Sequence, residues 1–244
     1  MEVLERSLIK TSVIIGLCLI VVAGIIAWAM YQIKAAENAL SVTGSAKQTV
    51  TSDLVKWNAS WSRTVYATDL KSGYTQMSSD EDIVSQFLKE SGITDAEMSI
   101  APVSMYKQYS YDKNGNQGPD QYQLNQTVSI QSTDINKIAA LSKNIAPIIA
   151  KGVIFSASSP EYYYTGLPDV RINLLPSAMK DAQKRAASLA QSTGKKVGSL
   201  ESASMGVVQV MQPNSTDVSD YGSYDTSTVE KDVMITVKAT FSLK

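Results

Sequence analysis

Across 244 residues, 22 Lys and Arg stand against 23 Asp and Glu, and no basic stripe is present. That balance argues against nucleic acid, which is bound largely through phosphate neutralisation, and against polybasic docking to anionic lipid. There is no histidine and only one cysteine, Cys18, which excludes zinc fingers, iron–sulfur clusters, intramolecular disulfides and Cys–His catalysis.

The first element in the chain is "VIIGLCLIVVAGIIAWAMY", Val13–Tyr31, which carries no charge. As a helix it is about 28 Å long, close to the roughly 30 Å hydrocarbon core of a bilayer. Its Leu, Ile and Val residues favour insertion by roughly 3 to 6 kcal/mol in sum. Trp28 and Tyr31 stand where an interfacial aromatic belt would lie. A cleaved signal peptide is the alternative, with Ala27-Trp28-Ala29 as the cleavage site, but the apolar stretch exceeds an h-region of about 7–15 residues. Cys18 lies mid-span behind Leu17, which does not suit a lipoprotein site. Arg6 and Lys10 precede the span and only Lys34 follows closely, so positive-inside reasoning gives a cytoplasmic N-terminus and an extracytoplasmic body. The expected organisation is residues 1–12 cytoplasmic, 13–31 transmembrane anchor, 32–40 stalk and 41–244 one extracytoplasmic domain. A division into two lobes would fall near Pro160–Pro176.

From Leu40 the pattern turns to period two. "VTGSAKQTV" and "LVKWNASWSRTVYA" read as adjacent strands with a turn near Thr51-Ser52-Asp53, and Val55, Trp57, Ala59 and Trp61 share one face of the second. Leu70, Tyr74, Met77, Val84, Phe87 and Leu88 then recur at helical spacing, with Gly92 as the stop. A strand near Met98–Tyr111, a Gly-rich turn and a strand near Gln121–Ser132 form a hairpin. Asp134 caps a helix running to about Ala150 and stopping at Gly152. "GVIFSASSPEYYYT" reads as a strand. The next helix is "PSAMKDAQKRAASLAQSTGKKVG", with Ala178, Ala182, Ala186, Leu189 and Ala190 on one side and Gly194 as its stop. Two strands follow, "SLESASMGVVQVM" and "EKDVMITVKATFSL", separated by a polar loop over Pro213–Thr228. The fold class is α+β: an N-terminal single transmembrane helix, then a body of antiparallel sheet plus helices.

Candidate chemistry is sparse. Asp181, Lys184 and Arg185 lie at i, i+3 and i+4, the spacing of a solvated helix face over a packed alanine face. "TGKK" lacks the first glycine and the Ser/Thr of a P-loop and ends a helix, which does not suit phosphate cradling. Asp112, Asn114 and Asn116 imitate the start of a calcium loop, but Gln117 stands where glycine is required and Gln123 where glutamate is required. "SLIK", Ser7 to Lys10, matches Ser-x-x-Lys only formally. Tyr162, Tyr163, Tyr164, Tyr221 and Tyr224 form two clusters suited to subunit contact or to a sugar or peptide surface. The Asn-x-Ser/Thr sequons at Asn58, Asn125 and Asn214 decide nothing in a chain rich in these residues. The expectation is no catalytic residue, no cofactor-binding residue and no metal site. A carboxylate-pair hydrolase needs no histidine, but no spacing points to one.

Taken in order, "VTGSA" (Val42–Ala46), "TDINKIAALS" (Thr133–Ser142), "KGVIF" (Lys151–Phe155), "SSPEYYYTGLPDVR" (Ser158–Arg171) and "DAQKRAASLAQSTGKKVG" (Asp181–Gly198) with the segment after it resemble the SIMPL-domain family of bacterial envelope proteins, some described as oxidative-stress defence proteins. The likeness runs from about Leu40 to Lys244. It implies an extracytoplasmic α+β fold and a tendency to assemble into rings, with channel-like or scaffolding roles. It transfers no catalytic residue. The expected protein is a non-enzymatic homo-oligomeric ring held to the inner (cytoplasmic) membrane by one helix, with its body periplasmic. The alternative is a monomeric or dimeric binding module for an envelope glycan or peptide.

Overall fold

The computed structural model describes residues 16, 17, 19–30, 39–111, 113, 115, 116 and 118–244. Residues 16, 17 and 19–30 are helical and form α1. Its Leu19, Ile20, Val21, Ile25, Ile26, Trp28 and Met30 side chains are all exposed. Val13–Ile15, Cys18 and Tyr31 of the expected span lie outside the described residues, as do residues 1–12 with the Ser7–Lys10 motif. Among the described residues no helix is long and apolar enough to cross a membrane. Residues 32–38 of the expected stalk also lie outside the description. Its last two residues, Ala39 and Leu40, already open strand β1 (Ala39–Thr51).

The body is a mixture of sheets and helices that divides into two compact units. Of the described residues, one comprises those up to Ala46, Asn173–Val207 and Ile235–Lys244; the other comprises those within Lys47–Ile172 and Val208–Met234. One boundary between them, after Ile172, falls within the Pro160–Pro176 stretch.

In the larger unit, β2 (Leu54–Tyr66) and β5 (Gln121–Ser132) pair antiparallel along their length, from Val55 opposite Ser132 to Tyr66 opposite Gln121. Strands β3 (Met98–Ile100) and β4 (Ser104–Gln108) flank β5, and β6 (Phe155–Ala157) and β7 (Glu161–Tyr163) flank β2. Period-two alternation sends Val55, Trp57, Ala59 and Trp61 into the core with Leu124, Val128 and Ile130 from β5. Helix α2 (Leu70–Glu90) covers that face with Met77, Val84 and Leu88. It ends before Gly92, whose φ of 82° is the left-handed stop that a glycine permits. Helices α3 (Ile135–Leu141) and α4 (Ala146–Ala150) add Ile138, Leu141 and Ile148 to the same core. Asp134 caps α3 by accepting from the Lys137 N–H at 2.9 Å.

Several elements differ from the sequence reading. The first two strands are not partners, since β1 pairs with the last strand, β11 (Glu230–Leu243), and β2 lies in the six-stranded sheet. Three expected single elements are each broken in two. Pro102 lies between β3 and β4, Pro147 lies in the first turn of α4 (Ala146–Ala150), a helix separate from α3, and Pro160 lies between β6 and β7. Proline supplies no N–H and disfavours helix in the residue before it, so regular hydrogen bonding stops at each. The run after Gly198 likewise splits at Gly206 into β8 (Val197–Met205) and β9 (Gln209–Met211). The polar loop holds a two-residue strand, β10 (Ser223–Tyr224), parallel to β9. Helix α5 (Leu167–Ser192) begins well ahead of the expected start, and Pro176 sits inside it.

In the smaller unit, Val42 of β1 and Ala239 and Phe241 of β11 pack against Ala182 and Ala186 of α5. Strand β8 pairs antiparallel with β11, Met205 opposite Val237 and Ser202 opposite Thr240. The register slips after Ser202, leaving Glu201 as the extra residue of a bulge.

Candidate functional site

The two tyrosine clusters meet in the larger unit. The Tyr163 and Tyr224 rings stack at 5.8 Å between centroids, and the Tyr224 hydroxyl accepts from the Tyr164 backbone N–H at 2.9 Å. The Tyr162 N–H donates to the Thr226 carbonyl at 2.8 Å. Tyr221 takes no part and is 97% exposed. Beneath the contact lies Lys231, whose side chain is fully buried. Its ammonium donates to the carbonyls of Asp225 at 2.5 Å and Thr228 at 2.6 Å and lies 5.9 Å from the Tyr224 ring centroid. Burial pushes the Lys231 amine down from its ordinary value, and the adjacent Asp225 carboxylate opposes that shift. Burial alone would raise the Asp225 carboxyl, but donation from Thr228 and Ser227 and the Lys231 charge hold it well below the usual range. Sequence periodicity gave no sign of this knot, because Lys231 is the second residue of β11 and reads there as an ordinary charged residue.

A second feature is the uncovered face of the six-stranded sheet. Residues alternate with the core set, so Lys56, Asn58, Ser60 and Thr64 on β2 stand beside Gln131, Ser129, Thr127 and Gln123 on β5. A depression of about 510 Å³ lies here, lined by Lys56, Asn58, Glu97, Ser99, Ser129 and Gln131 among others. The Glu97 carboxylate at its edge is already engaged. It accepts from Ser132 at 2.5 Å, from the Thr94 backbone at 3.0 Å and from Lys137 at 3.2 Å. Donation from Ser132, then from Thr94, lowers its pKa from 4.5 to about 2.

A third feature lies in the smaller unit. Leu175, Pro176 and Met179 of α5, Ala203, Ser204 and Met205 of β8, and Val237 of β11 line an apolar depression of about 330 Å³. No ionisable side chain lines it.

The other charged candidates have structural partners. Asp181 pairs with Arg185 at 2.8 Å, as the spacing predicts. It also accepts from the Ser45 N–H of β1 at 2.9 Å, and that bond is the leading cause of its lowered pKa. Asp232, nearly buried, accepts from Lys47 at 2.8 Å and from Thr49 at 2.7 Å. Asp80, also nearly buried, takes both Nε and an Nη of Arg63 at 2.7 Å. Every carboxyl here with a displaced pKa, namely Glu97, Asp181, Asp225 and Asp232, is displaced downward. A general acid at neutral pH needs the opposite shift. Among the described residues no three metal-ligating side chains converge. Asp112, Asn114 and Gln117 of the calcium-like loop lie outside the description; around them Gly118 donates to the Ser110 carbonyl and Gly115 has a φ of 82°. Asn58 and Asn125 stand on the uncovered sheet face, and Asn214 occupies a left-handed turn at φ 63°.

No curated protein matches the chain. One solved structure, assigned to an aminohydrolase from methicillin-resistant Staphylococcus aureus, is 11% identical over 50% of this chain and 31% of that one, with a TM-score of 0.20. The chain thus spans less than a third of that protein, and a likeness of this size carries no argument about fold or activity. The family model described as SIMPL, a protein of unknown function (DUF541), matches residues 40–241, nearly all of the body from β1 to β11. The chain belongs to the SIMPL family.

Proposed function

We propose that this protein is a non-enzymatic envelope component, anchored in the inner membrane by Val13–Tyr31, whose body is periplasmic and assembles into a homo-oligomeric ring with a scaffold or channel-like role. The observation that carries the self-association part of this reading is strand β8. Residues Ser199–Met205 are all exposed, Leu200 and Met205 remain about half exposed, and the apolar depression adjoins them. An exposed strand of this kind is a template for pairing with another chain. The described part of the anchor supports the membrane reading. It is helical, and its large apolar side chains are exposed, with no cover among the described residues.

Light scattering on the detergent-solubilised full-length protein tests the assembly. A particle of more than four chains is expected, and a monomer or dimer at micromolar concentration refutes the ring. Membrane fractionation with N-terminal sequencing tests the anchor, and a mature start near Met30 refutes it.

A second reading, a binding module for an envelope glycan or peptide, is favoured by the uncovered sheet face. Its amide and hydroxyl side chains present hydrogen-bonding groups beside Lys56 and the already engaged Glu97 carboxylate, a lining that suits a polyhydroxylated ligand. Titration with neutral oligosaccharides, followed by amide shifts confined to β2 and β5, is its test. No shift at millimolar ligand removes it.

A further inference from the structure

The two edges of the sheet in the smaller unit are treated differently by the fold. At the β1 edge, the Ser45 N–H is taken by Asp181 of α5. Gly44 lies so close to α5 that a Cβ there would fall 2.2 Å from the Ala182 nitrogen and 2.3 Å from the Ala178 carbonyl oxygen. The helix is therefore drawn onto β1 at Gly44 and takes one of that strand's main-chain donors. Among the described residues nothing covers Ser199–Met205 of β8, which are exposed.

The hydrogen-bond phase of β8 follows from two facts. Gly206 donates to the Thr236 carbonyl at 2.9 Å, and Met205 opposes Val237 in the antiparallel register. Hydrogen-bonded and non-hydrogen-bonded pairs alternate along such a ladder. Gly206, Ser204 and Ser202 therefore bond to β11, and the N–H and C=O of Ala203 and Met205 face the open edge. Edges are protected by lysine, proline, inward-pointing charge, bulges and very short edge strands. Between Ser202 and Gly206 the sequence has no lysine, proline or charge, and the one bulge lies just outside that stretch, at Glu201. The bulge at Glu201 limits the regular edge to this stretch.

We infer that β8 pairs antiparallel with β8 of a second copy of this chain, across a two-fold axis passing at Ser204. This inference deepens the self-assembly reading above and rests on it. Only Ala203 and Met205 offer regular outward groups. A two-fold at Ser204 sets Ala203 of each copy opposite Met205 of the other, so each exchanges both of its main-chain bonds. The pairing preserves the face of the sheet, so each Met205 side chain arrives over the other copy's Leu175, Met179 and Ala203. An uncharged groove meets an uncharged copy of itself, without like-charge repulsion. So short a strand contact is smaller than the ~1,200 Å² at which standard interfaces begin, and co-tethering in a membrane supplies the effective concentration it needs. An isologous contact does not close a ring by itself, so a ring would be built from such pairs through a further contact.

The test uses the full-length chain in its membrane, in a Cys18→Ser background. Ser204→Cys should form a copy-to-copy disulfide under mild oxidation, because the two residues face each other in a non-hydrogen-bonded pair with Cα atoms about 4.5 Å apart. Ser192→Cys, on α5, should not. Ala203→Pro removes an outward donor while leaving the β11 ladder intact; it should abolish the disulfide of Ser204→Cys and at least halve the particle mass. Absence of the Ser204→Cys disulfide in a folded, membrane-bound protein overturns the inference. If Ala203→Pro leaves a particle of more than four chains unchanged, the ring stands and the β8 pairing falls. If the parent is a dimer that Ala203→Pro converts to a monomer, the pairing stands and the ring falls. A parent that is monomeric in the membrane sinks both.

Discussion

Gly44 and Ala182 are in backbone contact: a Cβ on Gly44 would stand 2.2 Å from the Ala182 nitrogen. The glycine of "VTGSA" and the alanines of "DAQKRAASLA" are thus two sides of one interface. Ala178, Ala182, Ala186 and Ala190 are at most 2% exposed, and the absence of bulk on both sides lets the helix lie on the strand. Gly44→Ala should destabilise the smaller unit by about 3 kcal/mol or more, since the obstructing atoms are backbone and cannot rotate away. Thermal unfolding of the variant checks it, and a melting temperature within two degrees of the parent would contradict the close approach.

Lys231 should prove indispensable to the loop that it holds. Lys231→Ala leaves the Asp225 and Thr228 carbonyls and the Asp225 carboxylate without their buried donor, and should cost roughly 3–5 kcal/mol. Lys231→Met keeps the volume but loses the charge, and should lie between the parent and the alanine variant. Urea denaturation ranks the three. Equal stability of Lys231→Ala and the parent would mean that the ammonium makes no net contribution.

Tyr224 makes a separable pair of contacts. Tyr224→Phe removes the bond from the Tyr164 N–H and should cost about 0.5–1.5 kcal/mol. Tyr224→Ala also removes the stacking on Tyr163, which adds about 0.5–1.5 kcal/mol. Proteolysis within the 213–228 loop should accelerate in that order, and identical cleavage rates would count against the stacking contribution.

Glu97 gives the protein an acid-labile element. Its pKa falls from 4.5 to about 2 on folding, so its contribution is complete above pH 4.5 and is lost as pH falls toward 2. The shift sets an upper limit of about 3 kcal/mol, which solvent at this partly exposed pair reduces to about 1–2 kcal/mol. Glu97→Gln should be less stable than the parent at pH 7, and the two should converge near pH 2. A constant difference across that range would exclude the ionised carboxylate as the cause.

The sequence by itself determined the α+β class, the family and the faces of the long elements. Period two placed Trp57 and Trp61 in the core, and the spacing of Met77, Val84 and Leu88 gave α2 its buried face. Asp134 and Gly92 marked helix ends through local backbone chemistry. These features depend on neighbours a few residues away, so a linear string carries them. The tertiary structure alone decided that β1 pairs with β11 and not with β2, that Asp181 reaches the Ser45 N–H, that Tyr163 meets Tyr224 and that Lys231 is buried. In each case the partners lie far apart in the chain, and a lysine or aspartate reads identically whether it faces water or fills a pocket. The open edge of β8 belongs to the same class. Whether Ala203 and Met205 point outward depends on the phase of the ladder with β11, which is set by pairing across the sheet and has no signature in the strand's own residues.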